Sequence, residues 1–368
     1  MILQKLSLYD WRNYSRAETG FVPGVNLLVG DNAQGKTNLL EAIVYLSQCQ
    51  SFRTRAQAEL VRIGAEFADL SAEVQSADRV QTMRAVIFSG RRPRQLYLNG
   101  VKKKSGAELA GILPTVLFCP EDLLVLKSGA QARRRMIDHA LCQLRPVYAQ
   151  AVQEYGRCLE QKSRILKDYM VQPGLWEILP EYNEQIARLG TTIIYYRARY
   201  IEALDKAARA YHSEFSGGKE ELRLSYQTVS TVDDPFAPPQ RLYEWLREHQ
   251  ESHLRAERES GQCLSGPHKD DLGAALNGLS VKSYGSQGQT RTAAISLKLA
   301  ERELMCRQLG EEPILLLDDV LSELDAGRQD FVLNKLRQGQ VFITCCEKDR
   351  LTELGRVYTV EDGRITCE

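Results

Sequence analysis

Four residues in two distant places could together handle a nucleoside triphosphate. Lys36 and Thr37 close the run Gly30-Asp31-Asn32-Ala33-Gln34-Gly35-Lys36-Thr37, which fits G-x-x-x-x-G-K-[ST] at every fixed position. Glycine lets backbone N–H groups converge on a β-phosphate with no Cβ in the way. Lys36 would reach the β- and γ-phosphates, and the Thr37 hydroxyl would ligate Mg2+. Asp318 and Asp319 follow the apolar run Ile314 to Leu317, far along the chain. Asp318 would hold Mg2+ through its water shell. Asp319 would polarise or position the attacking water.

Each pair needs an element behind it. "VNLLVG" reads as a strand ending at the first glycine, and "TNLLEAIVYLSQ" has helical spacing after the last one. That helix points its positive N-terminal end at the same anion. "ILLL" reads as a buried strand with the aspartates at its C-terminal tip, the edge where open α/β sheets bind ligands. Between the halves, "YGSQGQTR" opens another helical stretch, with Ser286, Gly288 and Gln289 at its start. Such a start is an ordinary cap or a second anion-binding surface. One phosphate loop with two anion-binding helix starts suggests a composite site. Two copies would face each other, each giving its phosphate loop to one ATP and its serine loop to the other.

Length and composition set the frame. The 368 residues suffice for two or three packed units, and 43 % hydrophobic with 26 % charged residues is ordinary for a globular protein. Lys+Arg and Asp+Glu balance at 48 each, so no global basic bias points to nucleic acid. The nine cysteines are odd in number and show neither a C-x-x-C pair nor zinc spacing, which predicts reduced thiols in a cytoplasmic protein. The first residues do not read as a signal peptide, and no long apolar run predicts a membrane span or a membrane partner.

Arg133 to about Ser260 reads mostly as helix. Tyr148, Val152, Tyr155, Leu159, Leu166 and Tyr169 form one stripe, interrupted by Lys162. Pro173-Gly174 breaks the pattern, and a second stripe runs from Tyr182 to Tyr200. A short antiparallel coiled-coil arm, roughly 30 Å long from Tyr148 to Tyr169, fits this pattern, and so does a plain helical bundle. The predicted division is 1–128 for a first lobe, 129–260 for the helical arm and 261–368 for a second lobe.

The order phosphate loop, long insertion, S-x-G-Q, DD, S-x-L-D resembles the ABC-type ATPase heads of chromosome-maintenance proteins. The resemblance implies an α/β P-loop head whose two lobes come together in space, with a helical arm inserted. It implies that Ser286, Gly288 and Gln289 act in trans, and that Ser322 and Asp325 belong to the D-loop that crosses the dimer interface. "QVFITCC" matches the last element of such heads, with Thr344 near the switch position; no histidine stands there, so the γ-phosphate sensor is unassigned.

The insertion lacks the length, hinge or paired-cysteine hook of the long-armed members. Three stretches are similar to the RecF family of bacterial recombination mediators: "LSLYDWRNY", with Trp11 where Phe is usual; "FCPEDLLVLKSGAQARRRMIDHAL"; and "SGPHKDDL", with Lys269 where Arg is usual. Ala33 stands where that family often has Gly. The resemblance implies slow ATP hydrolysis used as a switch, an ATP-dependent homodimer, and binding to duplex DNA near single-strand gaps. RecR, and RecO in loading RecA, are the partners it implies. Arg12 and Asn13 would flank the nucleotide by family position. A transporter-type ATPase subunit is the rival reading, disfavoured by the long arm; a DNA scaffold with a vestigial ATP site is the other, disfavoured by the intact Lys36, Asp318 and Asp319.

Regional charge suggests where DNA would touch. Gly90 to Lys104 holds six basic residues and no acid, and Asn99-Gly100 predicts a hairpin that could bring Arg91, Arg92, Arg94, Lys102, Lys103 and Lys104 to one side. Arg133, Arg134 and Arg135 open the arm. Solvated surface is the alternative for both clusters. His249 and His253, four apart in a charged run, predict a solvated helix face rather than a metal site. His268 is placed at the rejoined head.

Overall fold

Alternating apolar residues build the first of three sheets. In β1 (Ile2–Trp11), Leu6 and Leu8 are buried while Ser7 and Tyr9 face outward, the two-residue period of a strand with one wet face. It pairs with β2 (Tyr14–Gly20) on one side and β4 (Phe67–Ser76) on the other. The antiparallel order continues through β5 (Arg79–Phe88), β6 (Gln95–Leu98) and β7 (Val101–Lys103). The computed structural model describes residues 1–77, 79–335, 338–346 and 352–367.

The second sheet is mostly parallel, and its strands lack that alternation because both faces are covered. β3 (Val25–Val29), β13 (Val341–Cys345), β12 (Ile314–Leu317) and β8 (Thr115–Phe118) run parallel in that spatial order. β14 (Arg356–Glu361) lies parallel to β3 on its free side, and β15 (Arg364–Cys367) turns back along it. Helix α1 (Lys36–Gln48) is buried from Leu39 through Ser47, and its side chains share one core with Leu6, Trp11, Leu28, Ile314 and Phe342. A helix apolar on all sides belongs inside such a core. These strands, α1 and α8 (Ala326–Lys335) form one compact unit, residues 1–124 with 294–368.

The other unit is residues 125–293. It holds α2 (Ala130–Leu144), α3 (Pro146–Asp168), α4 (Leu179–Ser216), α5 (Pro239–Ser260) and the short α6 (Val281–Tyr284). Prolines open α3 and α4, where a missing N–H costs nothing. A three-stranded sheet accompanies them: β9 (Leu222–Gln227), β10 (Asp271–Leu276) and β11 (Leu279–Ser280), with β10 central. Helix α7 (Gln287–Leu309) starts in this unit and ends in the other.

One open alternative is decided and one expectation changes. The two predicted stripes do lie on α3 and α4, but α4 also packs on α5 and β9, so the arm is a bundle with a sheet rather than a two-helix coiled coil. Lys162, which breaks the stripe, is fully buried and paired with buried Glu257 at 2.7 Å. The chain returns to the first unit near 294 rather than 261. The cause is β10, whose pairing with β9 keeps the SGPHKDDL stretch in the helical unit.

Candidate nucleotide site

The parallel sheet brings the two halves of the sequence motif together. β3 delivers the phosphate loop and β12 delivers the aspartates, two positions apart with β13 between them. Thr37 Oγ1 donates to Asp318 Oδ1 at 2.9 Å. Lys36 Nζ folds back over the loop, 2.5 Å from the Gly30 carbonyl oxygen and 3.0 Å from that of Asp31. The loop surrounds a cavity of about 310 Å3, lined by Asp31, Asn32, Ala33, Lys36, Arg53 and Asp319 among others. Gly35 is needed as glycine: its φ is 119°, and an added Cβ would meet the Asn13 amide at 2.7 Å.

Thr344 organises the aspartate pair. The Asp319 N–H donates to Thr344 Oγ1 at 2.8 Å, and the threonine's own proton has Asp318 Oδ1 at 3.1 Å and Asp319 Oδ1 at 3.2 Å within reach. Burial lifts the Asp318 carboxyl to about 6; the Thr37 hydroxyl opposes that rise, and the charge of Asp319 adds to it. A hydroxyl against a buried carboxylate, with a second carboxylate beside it, is a hard-oxygen set with negative charge to spare. It fits Mg2+, which keeps several waters and takes few protein ligands. Among the described residues, no group of three or more His, Cys, Asp or Glu could cage a metal alone.

Sequence reasoning missed Arg53, which brings a guanidinium to this cavity. Its Nη1 donates to Asn38 Oδ1 at 2.7 Å and lies 3.5 Å from Glu41. It sits in an irregular stretch with no spacing signal, so only the fold could reveal it. Arg12 is not among the residues lining this cavity. Its guanidinium grips buried Glu41 of α1 through both oxygens, at 2.7 and 2.8 Å. Asn13 does touch the loop, donating to the Gln34 carbonyl at 2.9 Å.

The serine loop forms a reciprocal cap on α7. Gln289 N–H donates to Ser286 Oγ at 3.2 Å, and Ser286 N–H donates to Gln289 Oε1 at 2.9 Å. The Gln289 amide also donates to Glu220 at 2.7 Å. Ser286 itself is exposed. Ser322 Oγ donates to the Asp319 carbonyl at 2.6 Å, and Asp325 caps α8 by accepting from Arg328 N–H at 3.0 Å.

The basic clusters divide. Asn99 and Gly100 form the predicted turn, at φ 50° and 77°. Register puts Lys102 opposite Tyr97 and Lys103 opposite Leu96, so the two lysines point to opposite faces and the six cations do not share one side. Arg94 turns inward to the Cys49 carbonyl. Arg91, Arg92, Lys102 and Lys104 are exposed. Arg133 is buried, bound to both oxygens of Asp271 at 2.7 Å, and is not available to DNA. Arg134 is half-buried on the Asp270 carbonyl, and Arg135 is exposed.

The histidines are structural. His249 is buried against Ser265 Oγ at 2.8 Å and stacks on His253, so only part of that face is solvated. His268 lies in the helical unit, between Tyr155 Oη at 2.7 Å and the Cys263 carbonyl at 3.0 Å. The carbonyl requires a proton on Nε2, which leaves Nδ1 to accept from the tyrosine.

Comparison with known proteins agrees with this geometry. Residues 2–366 match the model of the RecF/RecN/SMC N terminal domain. A DNA replication and repair protein RecF from Symbiobacterium thermophilum is 39 % identical over 354 residues, 95 % of this chain and 93 % of its own. The chain belongs to the RecF family. Another RecF, from Staphylococcus haemolyticus, is 37 % identical across 99 % of this chain and 100 % of its own. The solved recombination mediator protein RecF-ATPrS in the RecFOR pathway superposes with a TM-score of 0.92 at 32 % identity, covering 100 % of this chain and 98 % of that one. A Pyrococcus furiosus Smc head, at 16 % identity and a TM-score of 0.56, shares the fold. The RecF-family chain is therefore a weak ATPase of the ABC/SMC superfamily with a role in DNA replication and recombinational repair. Among the described residues, no helix is long and apolar enough to cross a membrane.

Proposed function

We propose that this chain is an ATP-switched clamp that binds duplex DNA near single-strand gaps as an ATP-induced homodimer. Hydrolysis is slow and acts as the switch, and the clamp works with RecR, and with RecO in loading RecA. The observation that carries the nucleotide part is the 2.9 Å contact of Thr37 with Asp318, which joins the phosphate loop to the aspartate pair beside Lys36. In this reading Lys36 holds the phosphates, with Gly30, Asp31, Asn32, Ala33, Gln34 and Gly35 giving the loop its shape. Thr37 and Asp318 hold Mg2+, which when bound would neutralise phosphate charge. Asp319, beside the cavity, positions the attacking water. Ser286 and Gly288 complete the partner copy's site, and Ser322 and Asp325 cross between copies. The exposure of Ser286 at the start of α7 supports that trans role. The exposed part of the basic set (Arg91, Arg92, Lys102, Lys104 and Arg135) supports DNA contact.

Sedimentation with ADP and then ATP, with and without a gapped duplex, tests the clamp. A monomer that dimerises with ATP and then retains gapped DNA is the expected result. A species unchanged by nucleotide would overturn the clamp and favour a scaffold.

A further inference from the structure

The C-terminal hairpin does more than close the sheet. Glu361 pairs with Arg364 across a two-residue turn made by Asp362 and Gly363, both at positive φ (47° and 70°). The turn reaches the phosphate loop. Asp362 N–H donates to Gln34 Oε1 at 2.7 Å, and Gly363 N–H donates to the Gln34 carbonyl at 3.2 Å. That carbonyl also accepts from Asn13 Nδ2 at 2.9 Å, and Asn13 Oδ1 accepts from Asn38 Nδ2 at 2.8 Å. At the other end of the loop, Gly30 lies flat on β14: a Cβ there would fall 2.2 Å from the Val360 carbonyl oxygen.

We propose that the Asp362-Gly363 turn is a latch holding the phosphate loop in its nucleotide-binding shape, with Gln34 as the positioning residue. The inference rests on reading this loop as the nucleotide site. A phosphate loop must turn its N–H groups inward, so its carbonyls need partners outside. Gln34 finds them in Asn13 and Gly363. Its neighbour Ala33 is held left-handed at φ 67°, a conformation alanine resists and that surrounding contacts must impose. A loop ordered before the ligand arrives loses less freedom on binding, so the latch raises nucleotide affinity without touching the nucleotide.

The test uses the full chain, titrated with a fluorescent ADP analogue, together with amide exchange at residues 33–36 without nucleotide. Gln34→Met keeps the side-chain length and deletes the side-chain acceptor of the Asp362 N–H, leaving the Gln34 carbonyl and its partners in place. It is expected to weaken binding about tenfold and to speed exchange of the loop amides. Asp362→Asn keeps the N–H and is expected to bind within about twofold of wild type, which separates the backbone donor from the carboxylate. Gly363→Val forces a Cβ to 2.7 Å from the Asn13 carbonyl oxygen. If both act through one latch, Gly363→Val with Gln34→Met weakens binding less than the product of the two single effects. Gln34→Met with wild-type binding and wild-type loop exchange overturns the latch. Failure of the wild type to bind the analogue overturns the nucleotide reading instead, and loop exchange then decides the latch alone.

Discussion

At the scale of single residues, the proposed reading divides labour between two neighbouring carboxylates. Asp318 is buried against Thr37 and suits a cation. Asp319, held at φ 50° by the Thr344 contact, faces the cavity and suits water. Asp319→Asn is therefore expected to lower steady-state ATP hydrolysis by about a hundredfold while ATP still binds. Equal residual rates in variant and wild type would point to a vestigial site. Lys36→Met is expected to lose ATP affinity itself, read as a lost saturable signal in the same titration, because no other described lysine lines this cavity.

Elements decide which cations are free. Around the β6–β7 hairpin, Arg91, Arg92, Lys102 and Lys104 are exposed, while Arg94 turns inward to the Cys49 carbonyl. Lys102→Ala with Lys104→Ala is expected to weaken DNA binding and to flatten the slope of log affinity against log salt by about 1 to 2 units, near 0.9 for each lost phosphate contact. Arg133→Ala should behave in the opposite manner. It strips Asp271 of a buried partner, so unfolding is expected to become easier by about 3 kcal/mol with the salt slope unchanged. An unchanged slope in the hairpin variant would remove β6–β7 from the interface.

At the scale of the whole molecule, acid is expected to act through buried His249 and half-buried His268. Burial pulls His249 and His268 down to about 4 from 6.5. The charged groups facing His268 (Lys269, Lys162 and Arg134) push the same way, as does His253 for His249, with Glu257 opposing. A base whose folded value is depressed stabilises the fold fully above 6.5, and that contribution is lost as pH falls toward 4. At pH 5.5 each histidine should cost about 1 kcal/mol relative to pH 7.5. Thermal melts at the two values should show the drop, smaller in His268→Gln; equal drops would place the acid sensitivity elsewhere. Assembly belongs to this scale too. Ser286→Arg is expected to bind ATP yet remain monomeric by light scattering, and normal dimerisation would remove the serine loop from the partner's site.

The local motifs were legible in the chain itself. A glycine loop between an apolar run and a helical one, and an acid pair closing a second apolar run, are short-range patterns. Backbone sterics and burial leave them few alternatives, so the phosphate loop, the aspartate strand and the Asn99-Gly100 turn stand as read. Tertiary structure decided everything that depends on which side of an element meets which neighbour. Arg133 and Arg135 look alike in sequence, but helical rotation buries one on Asp271 and leaves the other in solvent. The Asp362-Gly363 turn reaches the loop because β14 lies against β3, and Arg53 reaches the cavity through its bond to Asn38 of α1. Strand pairing also fixed where the helical unit ends, since β10 joins β9 rather than the larger sheets. Contacts between residues hundreds of positions apart leave no trace in local spacing, because their energy comes from packing against partners that only the folded chain supplies.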